Sequence, residues 1–326
     1  MKTPTNSSHE NQTLDLGGND EVMPSGSEKH NRIEELGRLG LQTSTDRLRA
    51  MSLVRDGDVL TLGLPLFGGS PIANSLDRPR PFHVIYRDWS HYLKGSVSAL
   101  RGGVASVDDG MFLNCHGGTH IDALGHIMHE GQIFGGRSAD HTVGGLDFAD
   151  VGVFASVGIV CRAVLADLQT WKGEAVASDS EIMVGDVRQC LHDQGVEIGS
   201  GDMLLIRTGS LSRWMAVGQE AFFRDYSEPG FSDDPELFKW IDEAEILGLG
   251  TDTFANELPV SPRTGEEYPL HRHFLRDRGM QFHEALWLED LAEACARDRR
   301  YAGLYIVAPL NLVGASGSPV NPIFMR

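Results

Sequence analysis

Residues 115–126 read Cys115-His116-Gly117-Gly118-Thr119-His120-Ile121-Asp122-Ala123-Leu124-Gly125-His126. Three imidazoles and a carboxylate fall within eleven residues, spaced by four, two and four positions. Neutral imidazole and carboxylate are the usual protein ligands of Zn²⁺ and suit Mn²⁺ or Fe²⁺ as well. The paired glycines after His116 oppose a regular helix and favour a tight turn that gathers the ligands around one point. A structural zinc site of the thiolate type needs cysteine pairs, and the four cysteines here (Cys115, Cys161, Cys190 and Cys295) are scattered. The pattern therefore points to a catalytic ion with one position open for water. The competing reading is a chance cluster, since the chain carries 13 histidines. Interleaving with Asp122 and the small residues on either side speak against it.

The pattern His-x3-His-x-Asp-x3-His, carried by His116, His120, Asp122 and His126, resembles the signature of the metal-dependent cyclase family. That family includes bacterial kynurenine formamidase, isatin hydrolase and a trans-dienelactone hydrolase. The resemblance implies that His116, His120 and Asp122 bind a metal and that His126 is the acid/base beside it. Where a second ion is bound, Asp122 would bridge the two. The similarity extends from about the first strand to the C-terminus. It implies a single α/β domain with a mixed-sheet β/β/α core. It also implies one or two divalent ions per chain, Zn²⁺ or Mn²⁺, and assembly into homodimers or homotetramers.

In such proteins a helix-borne histidine and a glutamate on the next strand hold the second ion. The stretch from Tyr268 to Glu289 reads as a helix ending at Gly279 and a strand from Met280 to Leu288. His271 and Glu284 match in their placement around Gly279. His273 competes with His271, but positions 271 and 273 of a helix face different ways, so only one of them reaches the metal. A glutamate between Phe282 and Leu286 is costly to bury unless it is paired or ligates a metal. His283 points to the opposite face of that strand.

The remaining chain supplies an α/β frame. Strands are expected at Asp58–Phe67, Phe82–Trp89, Met111–Cys115, within Val151–Asp167, at Asp202–Thr208, Ile246–Gly250 and Tyr301–Asn311. Helices are expected around residues 33–41, from Ser178 to Gly195, from Ser210 to Phe223 and after Asp234-Pro235. Phe67, Trp89, Tyr92 and Val107 are candidates for the pocket wall. Residues 314–322 form a Gly/Pro/Ser loop. Residues 1–29 are polar, partly acidic and nearly free of large apolar groups, so a flexible tail is expected there, ahead of one domain over 30–326.

With 41% hydrophobic and 23% charged residues, the 326-residue chain has the composition of an ordinary globular protein. A net charge of −18 disfavours nucleic acid or an anionic membrane as partner, because both call for a basic face. No apolar run approaches the roughly 20 residues of a spanning helix, and the N-terminus lacks the apolar core of a signal peptide. Unpaired cysteines fit a reduced, cytoplasmic protein.

Rival chemistries lack their residues. His129-Glu130 and His283-Glu284 have no second histidine at the metalloprotease spacing, and neither a Gly-x-Ser-x-Gly elbow nor a Walker loop occurs. The expectation is a divalent-metal-dependent hydrolase that opens an amide, lactam or lactone bond of a small cyclic or aryl substrate by attack of metal-bound water. The alternatives are a cyclase or dehydratase using the same ions, and a catalytically silent metal-binding homologue. The long segment between Thr208 and Asp252 departs from the short formamidase type and puts kynurenine derivatives in doubt as substrate.

Overall fold

The computed structural model describes residues 32–71, 78–224 and 226–326, and the expected tail over 1–29 lies outside them. Its strands are β1 Val59–Thr61, β2 Phe82–Arg87, β3 Asp108–Phe112, β4 His120–Asp122, β5 Ile159–Asp167, β6 Met203–Arg207, β7 Gly248–Thr251, β8 Gln281–Glu284, β9 Ala302–Val307, β10 Gly317–Pro319 and β11 Ile323–Met325. Nine of them form one mixed sheet in the order β1-β11-β9-β5-β6-β7-β8-β4-β10. β5 to β8 are parallel neighbours, and the flanking pairs are antiparallel. This is the expected mixed α/β architecture. β2 and β3 stand apart as a two-stranded antiparallel arm.

The middle of the sheet follows from composition. Met203-Leu-Leu-Ile-Arg207 and Gly248-Leu-Gly-Thr251 are buried at every position, as parallel strands covered on both faces are. Parallel neighbours need crossovers, and helices supply them. Val184–Gln194 sends Val187, Cys190 and Leu191 into the core, and Pro235–Glu243 sends in Leu237 and Ile241. At about 1.5–3 kcal/mol for each fully buried large aliphatic side chain, these stripes fix the helices on the sheet. Gly195, in the left-handed conformation, ends the first of them, while Asp234 caps the second just ahead of its first-turn proline.

Several boundaries differ from those expected, each for a local reason. The first strand is only three residues long: beyond Thr61 the Leu62 amide bonds to the Pro322 carbonyl and the Leu64 amide to Thr119 Oγ1, so the chain leaves the ladder and runs under the site. The helix placed from Ser178 starts at Val184, without a side-chain cap. Trp89, expected to end the second strand, instead begins a short helix over 89–93 capped by Asp88. The loop at 314–322 contains β10, which no periodicity announces in three residues that include a proline. The segment before Gly279 is a π-helix, His271–Asp277, rather than an α-helix. No helix of the described residues is long and apolar enough to cross a membrane.

Candidate metal centre

The turn at Gly117-Gly118, with Gly118 at φ +67°, delivers the chain into β4. Side chains two apart on a strand share a face, so His120 and Asp122 point the same way and Ile121 points into the core. In the ladder His120 stands directly opposite Glu284 of β8, and Ile121 opposite His283. This register puts Glu284 on the site face. His283 faces away and bonds through Nδ1 to the Tyr305 hydroxyl at 2.9 Å, where burial depresses its pKa to about 3.

His271 reaches the same point from the π-helix, a helix form found often at functional sites. Its Nε2 lies 3.3 Å from Asp122 Oδ2 and 3.4 Å from Glu284 Oε1. His120 Nε2 lies 3.2 Å from Glu284 Oε2 and 3.6 Å from Asp122 Oδ1. Donors bonded tetrahedrally at roughly 2.0–2.1 Å would stand about 3.3 Å apart, and these four contacts, which use both oxygens of each carboxylate, run from 3.2 to 3.6 Å. His120 Nε2 and Asp122 Oδ2 are buried without an aligned hydrogen-bond partner, the condition of atoms built to face an ion. His273 is elsewhere, stacked on Phe238 with ring centroids 4.2 Å apart.

Asp122 also belongs to a second group, with His116 and His126. His116 Nδ1 is 2.8 Å from Asp122 Oδ1, and its Nε2 is 2.9 Å from Ser316 Oγ. His126 stacks on His116 with ring centroids 4.1 Å apart. The five other expected side chains therefore gather around the Asp122 carboxylate. Their charge state fits a cation. Burial alone would raise the Asp122 carboxyl, but His126, His116 and His271 hold it well below the ordinary carboxylate range. Burial likewise works against a charged His271, yet Asp122, Glu257 and Glu284 together raise its pKa well above that of free imidazole. The positive charge this site draws onto imidazole is charge that a divalent ion would supply. His126 is kept neutral, mainly by burial. The residues present thus fit a divalent ion.

Supporting groups come from segments with no motif. Glu257 accepts from His271 Nδ1 at 2.5 Å and from the Leu270 and His271 amides, fixing the imidazole's tautomer and direction. Asn256 Nδ2 donates to Glu284 Oε1 at 3.2 Å. Thr119 Oγ1 donates to the Ala285 carbonyl and accepts from the Leu64 amide, clamping β4, β8 and the chain after β1 together. A Cβ on Gly317, which pairs with Asp122, would lie 2.7 Å from His116 Cε1. The only sequence signals for these groups were the threonine inside the motif and the glycine inside the closing loop.

The centre opens into a cavity of about 560 Å³. His126, His271 and Glu284 are among its lining residues, and Tyr226, Phe254 and Tyr268 supply aromatic wall. Phe67, Trp89, Tyr92 and Val107, the expected wall residues, do not line it; Trp89 and Val107 are more than 60% exposed. Local order in the sequence could not say which aromatic groups the crossovers fold back over the site.

The sequence model of the cyclase family matches residues 62–257. The chain is 28% identical over 244 residues to Cyclase-like protein 1 of Arabidopsis thaliana, spanning 72% of this chain and 75% of that one. Among solved structures it resembles that of a novel cyclase, with a TM-score of 0.80 and 26% identity over 89% of this chain and 96% of the other. Isatin hydrolase A from Ralstonia solanacearum shares the fold, with a TM-score of 0.60 and 22% identity over 87% and 98% of the two chains. Since the family match covers more than half of its 326 residues, the chain belongs to the cyclase family.

Proposed function

We propose that the protein is a divalent-metal-dependent hydrolase acting on an amide, lactam or lactone bond of a small molecule. The observation that carries this reading is the ligand cluster in the wall of a partly aromatic cavity, with His126, whose ring nitrogens bond to no described residue, beside it. Isatin hydrolase, a cyclic-amide cleaver by name, shares the fold and supports the bond class. His120, Asp122, His271 and Glu284 would hold one ion, and His116, with Asp122 shared, a second; Zn²⁺ and Mn²⁺ both suit such N/O donors. When bound, such an ion polarises the scissile carbonyl and lowers the pKa of water.

The chain's own groups do the rest. Asp122 is held ionised and Glu257 fixes His271. Neither ring nitrogen of His126 bonds to a described residue, and the ring is neutral, so it can take a proton from the attacking water and return it to the leaving nitrogen or oxygen. A cytoplasmic setting and a homodimeric or homotetrameric state belong to the same reading.

The test combines elemental analysis with turnover of N-formyl aryl amines, isatin-like lactams and unsaturated lactones. Bound metal and hydrolysis are expected, and His126→Ala should keep the metal while losing at least about 100-fold in kcat. A folded protein without metal, or one that binds metal yet turns over none of the three classes, would overturn the reading.

A further inference from the structure

Among the described residues the cavity wall contains four carboxylates, two imidazoles and a single guanidinium, that of Arg78. Three of the carboxylates are committed. Glu257 and Glu284 serve the metal centre, and Glu228 accepts from Ser210 Oγ, Tyr226 Oη and the Phe254 amide. The fourth, Asp179, is exposed. Arg78 is paired with none of them, nor with any other carboxylate of the described residues. Its one bond to the described residues runs from Nη1 to the His116 carbonyl at 3.0 Å, which ties the half-buried guanidinium to the ligand turn.

A guanidinium has five N–H donors in a planar fork, matched to two oxygens of an anion. Among the described residues only one donor is used, for anchoring, and the others are open to a guest. A half-buried cation with no carboxylate partner among the described residues has an electrostatic cost that an anionic ligand would offset, and this is what its placement points to. Fixing the fork on the ligand turn lowers the entropy that binding must remove. The rest of the wall is largely apolar or aromatic: Ile127, Phe254, Leu258, Pro259 and the rings of Tyr226 and Tyr268.

We infer that the substrate carries a carboxylate on an apolar, aromatic-sized body, and that Arg78 receives that carboxylate while the scissile carbonyl lies at the His120–Asp122–Glu284 centre. Arg78 is thus a specificity-determining residue. The inference deepens the hydrolase reading and rests on it only for the position of the scissile bond.

The test uses the metal-loaded enzyme and two probes that differ only at the group remote from the formamide, 4-formamidobenzoate and 4-formamidobenzamide. The acid is expected to be preferred by about 10- to 100-fold in kcat/KM, carried mainly in KM. In Arg78→Met that preference should collapse, and Arg78→Lys, a point charge without the fork, should restore part of it. No preference in the wild type, or an equal loss on both probes in Arg78→Met, would overturn the inference and make Arg78 a support of the turn or of the shared carbonyl. If neither probe is turned over, the hydrolase reading loses that bond class and binding decides about Arg78. Benzoate that binds the wild type at least tenfold more tightly than Arg78→Met, with benzamide indifferent, supports the inference, and equal benzoate binding overturns it.

Discussion

Glu257 shows how much of a metal site is set by groups that never meet the ion. It is fully buried, and burial raises its carboxyl; three donors from Leu270 and His271 act against that. Glu257→Gln would still accept from the two amides, but it would replace a charge-assisted bond to the imidazole with a neutral one. The expected result is a 10- to 100-fold weaker metal affinity with the fold retained, read by competition with a chelator alongside circular dichroism. Unchanged affinity would mean that the ring is positioned by packing alone. At this scale the sequence was legible only where donors are neighbours in the chain. His116, His120, Asp122 and His126 declare themselves by spacing, and Glu284 by an ionisable group in an apolar strand. Glu257, Asn256 and Arg78 lie in irregular segments and become neighbours of the site only through the fold, so nothing local marks them.

At the level of elements, the site depends on a three-strand ladder, β10-β4-β8, whose register no pattern in the sequence fixes. The outer strand works because Gly317 leaves room for the His116 ring. Gly317→Ala forces a Cβ into His116 Cε1 at 2.7 Å and the Ile121 carbonyl at 2.9 Å. A loss of about 1–3 kcal/mol in unfolding free energy is expected, together with weaker metal binding, since the ring that must move is a ligand candidate. Denaturant melts with and without metal check both parts, and full stability would show that the ladder can shift. The sequence made strands of long apolar runs and found β5, β6, β7 and β9. It missed β10 and the short helix at 89–93 because such pieces are specified by what they pair with.

A second element-scale device is the buried Glu228, which joins the helix start at Ser210 to Tyr226 and Phe254. Burial pushes its pKa from 4.5 up to about 7, with Asp252 adding to the rise, although three donors favour the ionised form. The folded state therefore holds this proton more tightly than the unfolded chain. Its contribution is fully present below about pH 4.5 and is lost as pH rises toward 7, by at most about 3 kcal/mol. Glu228→Gln removes this dependence. Urea unfolding at pH 5, 6 and 7 should show wild type losing ground to Glu228→Gln as pH rises. Parallel curves would mean that Glu228 stays ionised throughout.

For the whole molecule, the open question is what covers the β2–β3 arm. Among the described residues the arm joins no other strand, and a two-stranded hairpin by itself is marginally stable in water. Phe82 and Phe112 stack at 5.1 Å, yet each stays about half exposed, and Tyr86, Trp89 and Leu93 beside them are more than 60% exposed. An apolar surface of this kind on a chain with a net charge of −18 fits a contact between copies, because like charge repels elsewhere and only an apolar patch can offset it. The homo-oligomer implied by the family resemblance is expected to form through this arm. Light scattering should give a dimer or tetramer, strengthened by salt that screens the repulsion. Phe82→Asp with Phe112→Asp should shift the mass toward one chain while the far-ultraviolet dichroism of the nine-stranded sheet persists. A monomeric wild type, or a double variant with unchanged mass, would remove the arm from any interface. Arg78 precedes the arm and His116 follows it, and the two meet at its base, beyond the Phe82–Phe112 pair. Oligomerisation through the arm would steady this base and with it the His116 turn, so the same variant should lose metal affinity along with mass.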